Sequence, residues 1–109
     1  MKSLFELLNA IRLRPEMYVG GDRSQRGAQL QHLEFLLHGY ALAVEVHHLD
    51  EGVKDFPREF AEYLQHTYGW SAAAGPVAAI RDATSDDDEA WELFWSLVQD
   101  FKTTVKRPD

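Results

Sequence analysis

Few residues of this 109-residue chain have types and spacing that could do chemistry, and the clearest are a glutamate and a histidine. Glu34 and His38 lie four positions apart, so on a helix they would share a face and could bind a metal ion or relay a proton. An ordinary surface pair is the alternative reading of the same spacing. There is no His-Glu-x-x-His arrangement, and the neighbours His47 and His48 would point in different directions. We therefore expect no metal and no cofactor.

Candidate nucleophiles are equally sparse. The chain has no cysteine, which excludes disulfides, thiolate metal sites and a cysteine nucleophile. A catalytic serine needs an activating base within reach, and no serine here lies in a recognisable nucleophile elbow. Ser85 is better explained as a helix cap. These patterns favour a protein that is not an enzyme.

Carboxylates are the one functional group that is concentrated. Four follow one another at Asp86, Asp87, Asp88 and Glu89, and Glu92 lies about one helical turn further on. Such a cluster could dock against a basic surface on another protein. It could equally stabilise a helix N-terminus, where the macrodipole favours negative charge. The two interpretations are compatible.

The distribution of charge narrows the class of partner. The net charge is -7, and residues 28–101 alone hold fourteen acidic and three basic residues. Such an acidic surface disfavours nucleic acid, whose binding requires cations, and it suits a basic protein partner. Solubility alone is the other explanation. The sequence offers no signal peptide and no membrane span, so we expect a cytoplasmic protein with no membrane partner.

The elements that must position these groups are predicted to be helices. Apolar residues recur at helical spacing over most of the chain, which indicates one all-α domain over residues 1–109, a bundle of four to five helices. The first predicted segments are a helix after Ser3 that ends before Pro15, a loop over 16–25, and helices over about 25–49 and 56–68. An irregular stretch over 70–83, a helix from Ser85 to Lys102 and a frayed tail over 102–109 follow. Within the irregular stretch, Pro76 could start a short helix through Ile80, with a brief strand as the rival.

Local signals set the ends of these helices. Ser3 with Glu6, and Ser85 with Asp88, have the spacing of capping boxes. Asp55 is a suitable cap for the helix over 56–68, and Gly69 is placed to end that helix. The last helix carries a wide aromatic stripe that includes Trp91 and Trp95. This stripe is expected to be core, although one tryptophan could be an exposed anchor or part of a seam between two copies, so a homo-oligomer is left open.

The segment Arg14-Pro15-Glu16-Met17-Tyr18-Val19-Gly20 resembles the N-terminal part of the ATPase domain of DNA gyrase B and topoisomerase IV, in the GHKL group. In that family a Gly-Leu-His-His-like turn follows, and it could correspond here to residues 29–33. The resemblance places Glu34 at the position of the water-activating glutamate and His38 at that of a magnesium-binding asparagine. It covers roughly residues 5–45, and it implies an alternative function as a topoisomerase-interacting regulator or mimic, with Arg14 and Tyr18 in a contact loop.

Several departures from that family argue against ATP hydrolysis. The family's glycine between proline and methionine is Glu16 here, and histidine at position 38 is a poor ligand for magnesium, which prefers oxygen. No Asp-x-Gly-x-Gly segment and no glycine-rich lid follow. The whole chain also resembles small uncharacterised bacterial proteins of the immunity or antitoxin type. The leading hypothesis is therefore a non-enzymatic protein that occludes a toxin's basic cleft, with a cryptic enzyme or ligand-binding domain around Glu34 and His38 as a further alternative.

Overall fold

The computed structural model of the protein describes residues 4–48, 53, 55–71 and 74–105. Within these ranges every regular element is helical, and the all-α prediction is confirmed. Six α-helices follow one another: α1 (Leu4–Leu13), α2 (Pro15–Tyr18), α3 (Arg26–His47), α4 (Phe56–Tyr68), α5 (Pro76–Asp82) and α6 (Asp87–Val105). None of the described helices is both long and apolar enough to cross a membrane.

The connection between α1 and α3 is more ordered than the predicted loop over 16–25. Pro15 ends α1 but also begins the single turn α2, because the first position of a helix needs no N–H donor. A 3₁₀ turn over Arg23–Gln25 follows, and the side chains of Asp22 and Gln25 cap it reciprocally. Hydrogen bonds from the Ser24 hydroxyl and N–H hold the pKa of Asp22 below its usual value.

The predicted boundaries of α4 are confirmed at both ends. Its first turn contains Pro57, and the Asp55 carboxylate accepts a 3.4 Å hydrogen bond from the Arg58 N–H. Gly69 ends the helix in the left-handed conformation, with φ of +72°. Each signal is local, so the sequence alone could place this helix.

The last two helices differ in detail from the prediction. Helix α5 begins at Pro76 as expected but continues to Asp82, and the rival strand is wrong. The cap of α6 is shifted by one residue: the Asp86 carboxylate accepts a 2.8 Å hydrogen bond from the Glu89 N–H, which replaces the predicted Ser85 and Asp88 box. Helix α6 runs beyond Lys102 to Val105, so the first part of the predicted tail is helical. Residues 106–109, like the predicted cap Ser3, lie outside the described residues.

The core lies where α1, α3, α4, α5 and α6 meet. Its centre is aromatic: Phe60 packs edge-on against Phe94, with ring centroids 5.9 Å apart, and Phe56 stacks on Phe60 at 5.0 Å. Trp91 and Trp95 on α6 are only 4% and 8% exposed, so both are core residues, as expected. Burial of these rings removes large apolar areas from water and holds α6 in place against the rest of the bundle.

Candidate functional site

The five carboxylates singled out in the sequence form one surface, which we call the acidic patch. It occupies the last residue before α6 and the first two turns of that helix, and all five side chains are exposed. Its members are Asp86, Asp87, Asp88, Glu89 and Glu92.

Three of these carboxylates already have a structural role. Asp86 caps α6, and the Glu89 carboxylate accepts a 3.3 Å hydrogen bond from the Ser85 N–H. Asp87 forms an ion pair with Arg81 of α5, with 3.1 Å between nitrogen and oxygen. Through these contacts the three carboxylates stabilise the N-terminus of α6, which is a sufficient reason for their presence there.

The remaining two carboxylates have no such role. Asp88 and Glu92 are one turn apart on α6, and neither side chain makes a hydrogen bond or an ion pair with the described part of the chain. Two like charges at this spacing repel each other by roughly 0.2–0.5 kcal/mol on a helix surface. Asp88 and Glu92 are therefore free to contact a partner protein. The N-terminus of α6 does not need both charges to be stable, because they repel each other.

A cleft of about 510 Å³ adjoins the patch, and we call it the α6 cleft. Its lining includes cations from α1 and α3 and anions from α6, namely Arg12, Arg26, Glu92 and Asp100, together with Trp91, Trp95, Ser96 and Gln99. Sequence reasoning missed this site, because its walls come from helices far apart in the chain.

Arg26 is held firmly at one side of the α6 cleft. Its guanidinium carbon lies 4.3 Å from the centroid of the Trp91 ring, a cation–π distance, and its Nη1 donates a 2.7 Å hydrogen bond to Gln29. Trp95 has a buried indole N–H without a hydrogen-bond partner in the described structure. A buried donor left unpaired costs about 1–3 kcal/mol, so this N–H calls for an explanation.

The predicted pair Glu34 and His38 is divided between two environments. The half-buried Glu34 carboxylate accepts a 3.3 Å hydrogen bond from the Val77 N–H and thereby joins α3 to the first turn of α5. A Cβ atom on Gly75 would lie only 2.5 Å from the same carboxylate oxygen. His38 is exposed and lines a separate cleft of about 820 Å³, which α4 and the segment before α5 complete. The structure thus gives Glu34 a packing role.

Metal-binding geometry is not found among the residues that the structure describes. No three histidine or acidic side chains there are grouped closely enough to hold an ion.

The gyrase-like segment over residues 14–20, which we call the leader, is held by hydrogen bonds at one end and exposed at the other. His32 Nδ1 lies 2.9 Å from the Val19 carbonyl oxygen, and Gln29 donates a 2.8 Å hydrogen bond to the Gly20 carbonyl. In contrast, Met17 is 65% and Tyr18 42% exposed. Helix α3 therefore holds the end of the leader and leaves its aromatic and thioether side chains open to solvent.

Arg14, the other residue of the predicted contact loop, lies just before α2. Its guanidinium is 3.9 Å from the Met17 sulfur, and the neighbouring Leu13 is 68% exposed. Arg14 and Tyr18 are thus both on the surface, and Met17, which lies between them in sequence, is exposed as well.

Helix α3 also exposes apolar side chains. Phe35, Leu42 and Val46 are each at least 60% exposed and are spaced so that they share a face with Gly39. Three exposed apolar side chains make a short face, whereas a stable interface usually buries about 20–30 residues on each partner. The possibility of a homo-oligomer stays a prediction.

Comparison of the chain with protein-family models, with curated proteins and with solved structures finds no match. The resemblance of residues 14–20 to the gyrase ATPase segment stays a prediction, and function is inferred from the residues and their geometry.

Proposed function

We propose that this protein is a non-enzymatic protein-binding module of the immunity or antitoxin type, which uses the acidic patch to occlude a basic cleft on its partner. One observation carries the proposal: Asp88 and Glu92 are exposed, one turn apart and unpaired within the described structure, on a helix whose inner face is buried in the core.

The rest of the surface favours the same class of partner. The chain has a net charge of -7, and five of its carboxylates lie within two turns at one end of α6. Their field extends about one Debye length, roughly 10 Å at 0.1 M salt, so it would accelerate the approach of a cationic surface. The core holds α6 by buried aromatic side chains, so little ordering of the helix is needed on binding.

The decisive variant removes the two charges that make no hydrogen bond or ion pair with the described part of the chain. Asp88→Asn with Glu92→Gln lowers the negative charge by two and leaves the capping residues in place. The matched control is Glu16→Gln with Glu45→Gln, which makes the same change in net charge at exposed positions on α2 and α3.

The test is capture of the tagged protein's partner from bacterial extract, followed by binding kinetics with the purified partner. We expect a basic protein whose association is slowed several-fold by the patch variant at low salt, with a smaller effect of the control. The difference should fade as salt increases. Equal association rates for the two variants, or a captured partner without a basic surface, would contradict the proposal.

A second candidate function is favoured by the exposure of the leader. Leu13, Met17 and Tyr18 are exposed and lie within six residues of the chain, as a contact loop for a topoisomerase would require. The test is inhibition of DNA supercoiling by gyrase, with Tyr18→Ala as the variant. Failure of the wild-type protein to inhibit, at saturating concentration, ends this candidate.

A further inference from the structure

The α6 cleft combines two cations with two anions that do not neutralise one another. In the described part of the chain, ion pairs join Arg58 to Asp55 and Glu62, and Arg81 to Asp87; none crosses this cleft. We propose that the α6 cleft binds a short zwitterionic peptide, with the peptide's carboxylate beside Arg12 and Arg26 and its ammonium group beside the acidic wall. This site shares Glu92 with the acidic patch, but the proposal does not rest on the docking function proposed above.

The charges define the class of ligand. Arg12 and Arg26 come from α1 and α3, whereas Glu92 and Asp100 both belong to α6. The formal charge of the lining is therefore zero, and a ligand with a single charge would meet an attractive wall and a repulsive one. A molecule with one positive and one negative end can place each end beside its complement.

The size of the cleft favours a peptide over a free amino acid. A volume of about 510 Å³ lies within the usual range for small-molecule sites. Glu92 and Asp100 are eight residues apart on α6, about 12 Å along the helix axis, so the acidic wall by itself is longer than a free amino acid and leaves room for an extended ligand. An extended tripeptide separates its two charged ends by about 10 Å, whereas a free amino acid holds them on a single carbon atom.

Polar groups along the cleft suit a peptide backbone. Ser96 and Gln99 line the wall between the two carboxylates and can donate to or accept from amide groups. The indole N–H of Trp95, a cleft residue that is itself 8% exposed, has no acceptor in the described structure. Because Trp95 lines the cleft, its indole N–H resonance can report a ligand that binds there.

The experiment is a titration of the ¹⁵N-labelled full chain with tri-alanine, followed through the indole N–H resonances. Trp95→Phe assigns the Trp95 signal, and Trp70, which lines the other cleft, serves as an internal control. We expect millimolar tri-alanine to shift the Trp95 signal and leave that of Trp70 in place. N-acetyl-tri-alanine and tri-alanine amide, which each lack one charge, should bind at least tenfold more weakly.

Single substitutions then test each wall. Arg12→Gln and Asp100→Asn lie outside the acidic patch, and each should weaken tri-alanine binding about tenfold. Arg58→Gln, in the other cleft, should have no effect. Circular dichroism and the Trp70 resonance verify that each variant is folded. The absence of a Trp95 shift with folded wild-type protein, equal binding of the capped peptides, or equal binding of L-alanine would overturn the proposal. None of these results bears on docking by Asp88 and Glu92.

Discussion

Removal of the Asp86 side chain should destabilise the protein, because this carboxylate caps α6. Its oxygen lies 2.8 Å from the Glu89 nitrogen, and its backbone carbonyl accepts from the Ala90 N–H at 3.0 Å. Asp86→Ala removes the first bond and leaves the second. Loss of an N-cap side chain costs about 1 kcal/mol, which for a domain of this length lowers the melting temperature by about 4 °C.

The patch variant Asp88→Asn with Glu92→Gln should behave differently. Neutralising Asp88 loses a favourable interaction with the helix dipole of about 0.3–1 kcal/mol. Neutralising the pair also removes a repulsion of about 0.2–0.5 kcal/mol. The second term offsets part of the first, so we expect the free energy of unfolding to fall by at most about 0.8 kcal/mol, less than in Asp86→Ala.

Urea denaturation followed by circular dichroism, at neutral pH and at two salt concentrations, measures both effects. The slope of the free energy against urea should be the same in each variant, because neither changes the area that unfolding exposes. A loss of stability in the patch variant equal to that in Asp86→Ala would refute the division of the acidic patch into capping and free carboxylates. An Asp86→Ala variant as stable as the wild-type protein would refute it as well.

Three further predictions concern other parts of the fold. Gly75→Ala should destabilise the protein by more than about 1 kcal/mol in urea unfolding, because φ at this position is +101° and a Cβ would meet the Glu34 carboxylate. Gly39→Ala is the control: a Cβ there lies in open space within α3, and the variant should be more stable by about 0.5–1 kcal/mol. Glu34→Ala should cost about 2 kcal/mol and Glu34→Gln about half as much, since only glutamine retains an acceptor for the Val77 N–H; equal losses in thermal unfolding would contradict this role. The lowered pKa of Asp22 stabilises the folded state above the unfolded pKa of about 3.8, and this contribution is lost as pH falls through the folded pKa; a carboxyl NMR titration midpoint at or above the unfolded value would contradict it.

Local signals explain which elements the sequence could locate. Helix α4 has its cap, its proline and its terminal glycine within the segment itself, and its predicted bounds are those observed. The buried stripe of α3 was also predictable: Leu30, Leu33 and Leu37 are at most 2% exposed. In both cases helical periodicity and end signals agree.

The prediction was wrong where one local rule had two solutions. Pro15 can end one helix or begin the next, and here it does both. The spacing of a capping box is satisfied by Ser85 with Asp88 and also, with one shift, by Asp86 with Glu89. The structure uses the second, next to the ion pair that Asp87 makes with Arg81 of α5. Because this ion pair joins two helices, a capping rule that considers only one segment cannot predict it.

The two candidate sites differ in the same way. The acidic patch is continuous in sequence, so its position at the start of α6 could be predicted from composition and spacing alone. The α6 cleft needs Arg12, Arg26 and Asp100 to meet from three helices, and no pattern in the sequence relates them. The hydrogen bond from Val77 to Glu34 is likewise long-range, and it is why the helical spacing of Glu34 and His38 predicted a pair whose members have different surroundings.

The helix dipole and a docking role need not compete as explanations of the acidic patch, because the structure divides the carboxylates between them. Asp86 and Glu89 bond to backbone N–H groups, and Asp87 pairs with Arg81; for these three, stability is a sufficient reason. Helix formation does not require Asp88 and Glu92 as a pair, since their mutual repulsion offsets part of what the dipole supplies. The two carboxylates are exposed on a helix that the core holds in place, so they are available to another molecule. The charge-matched variants at positions 88 and 92 against 16 and 45 measure that role without disturbing the cap.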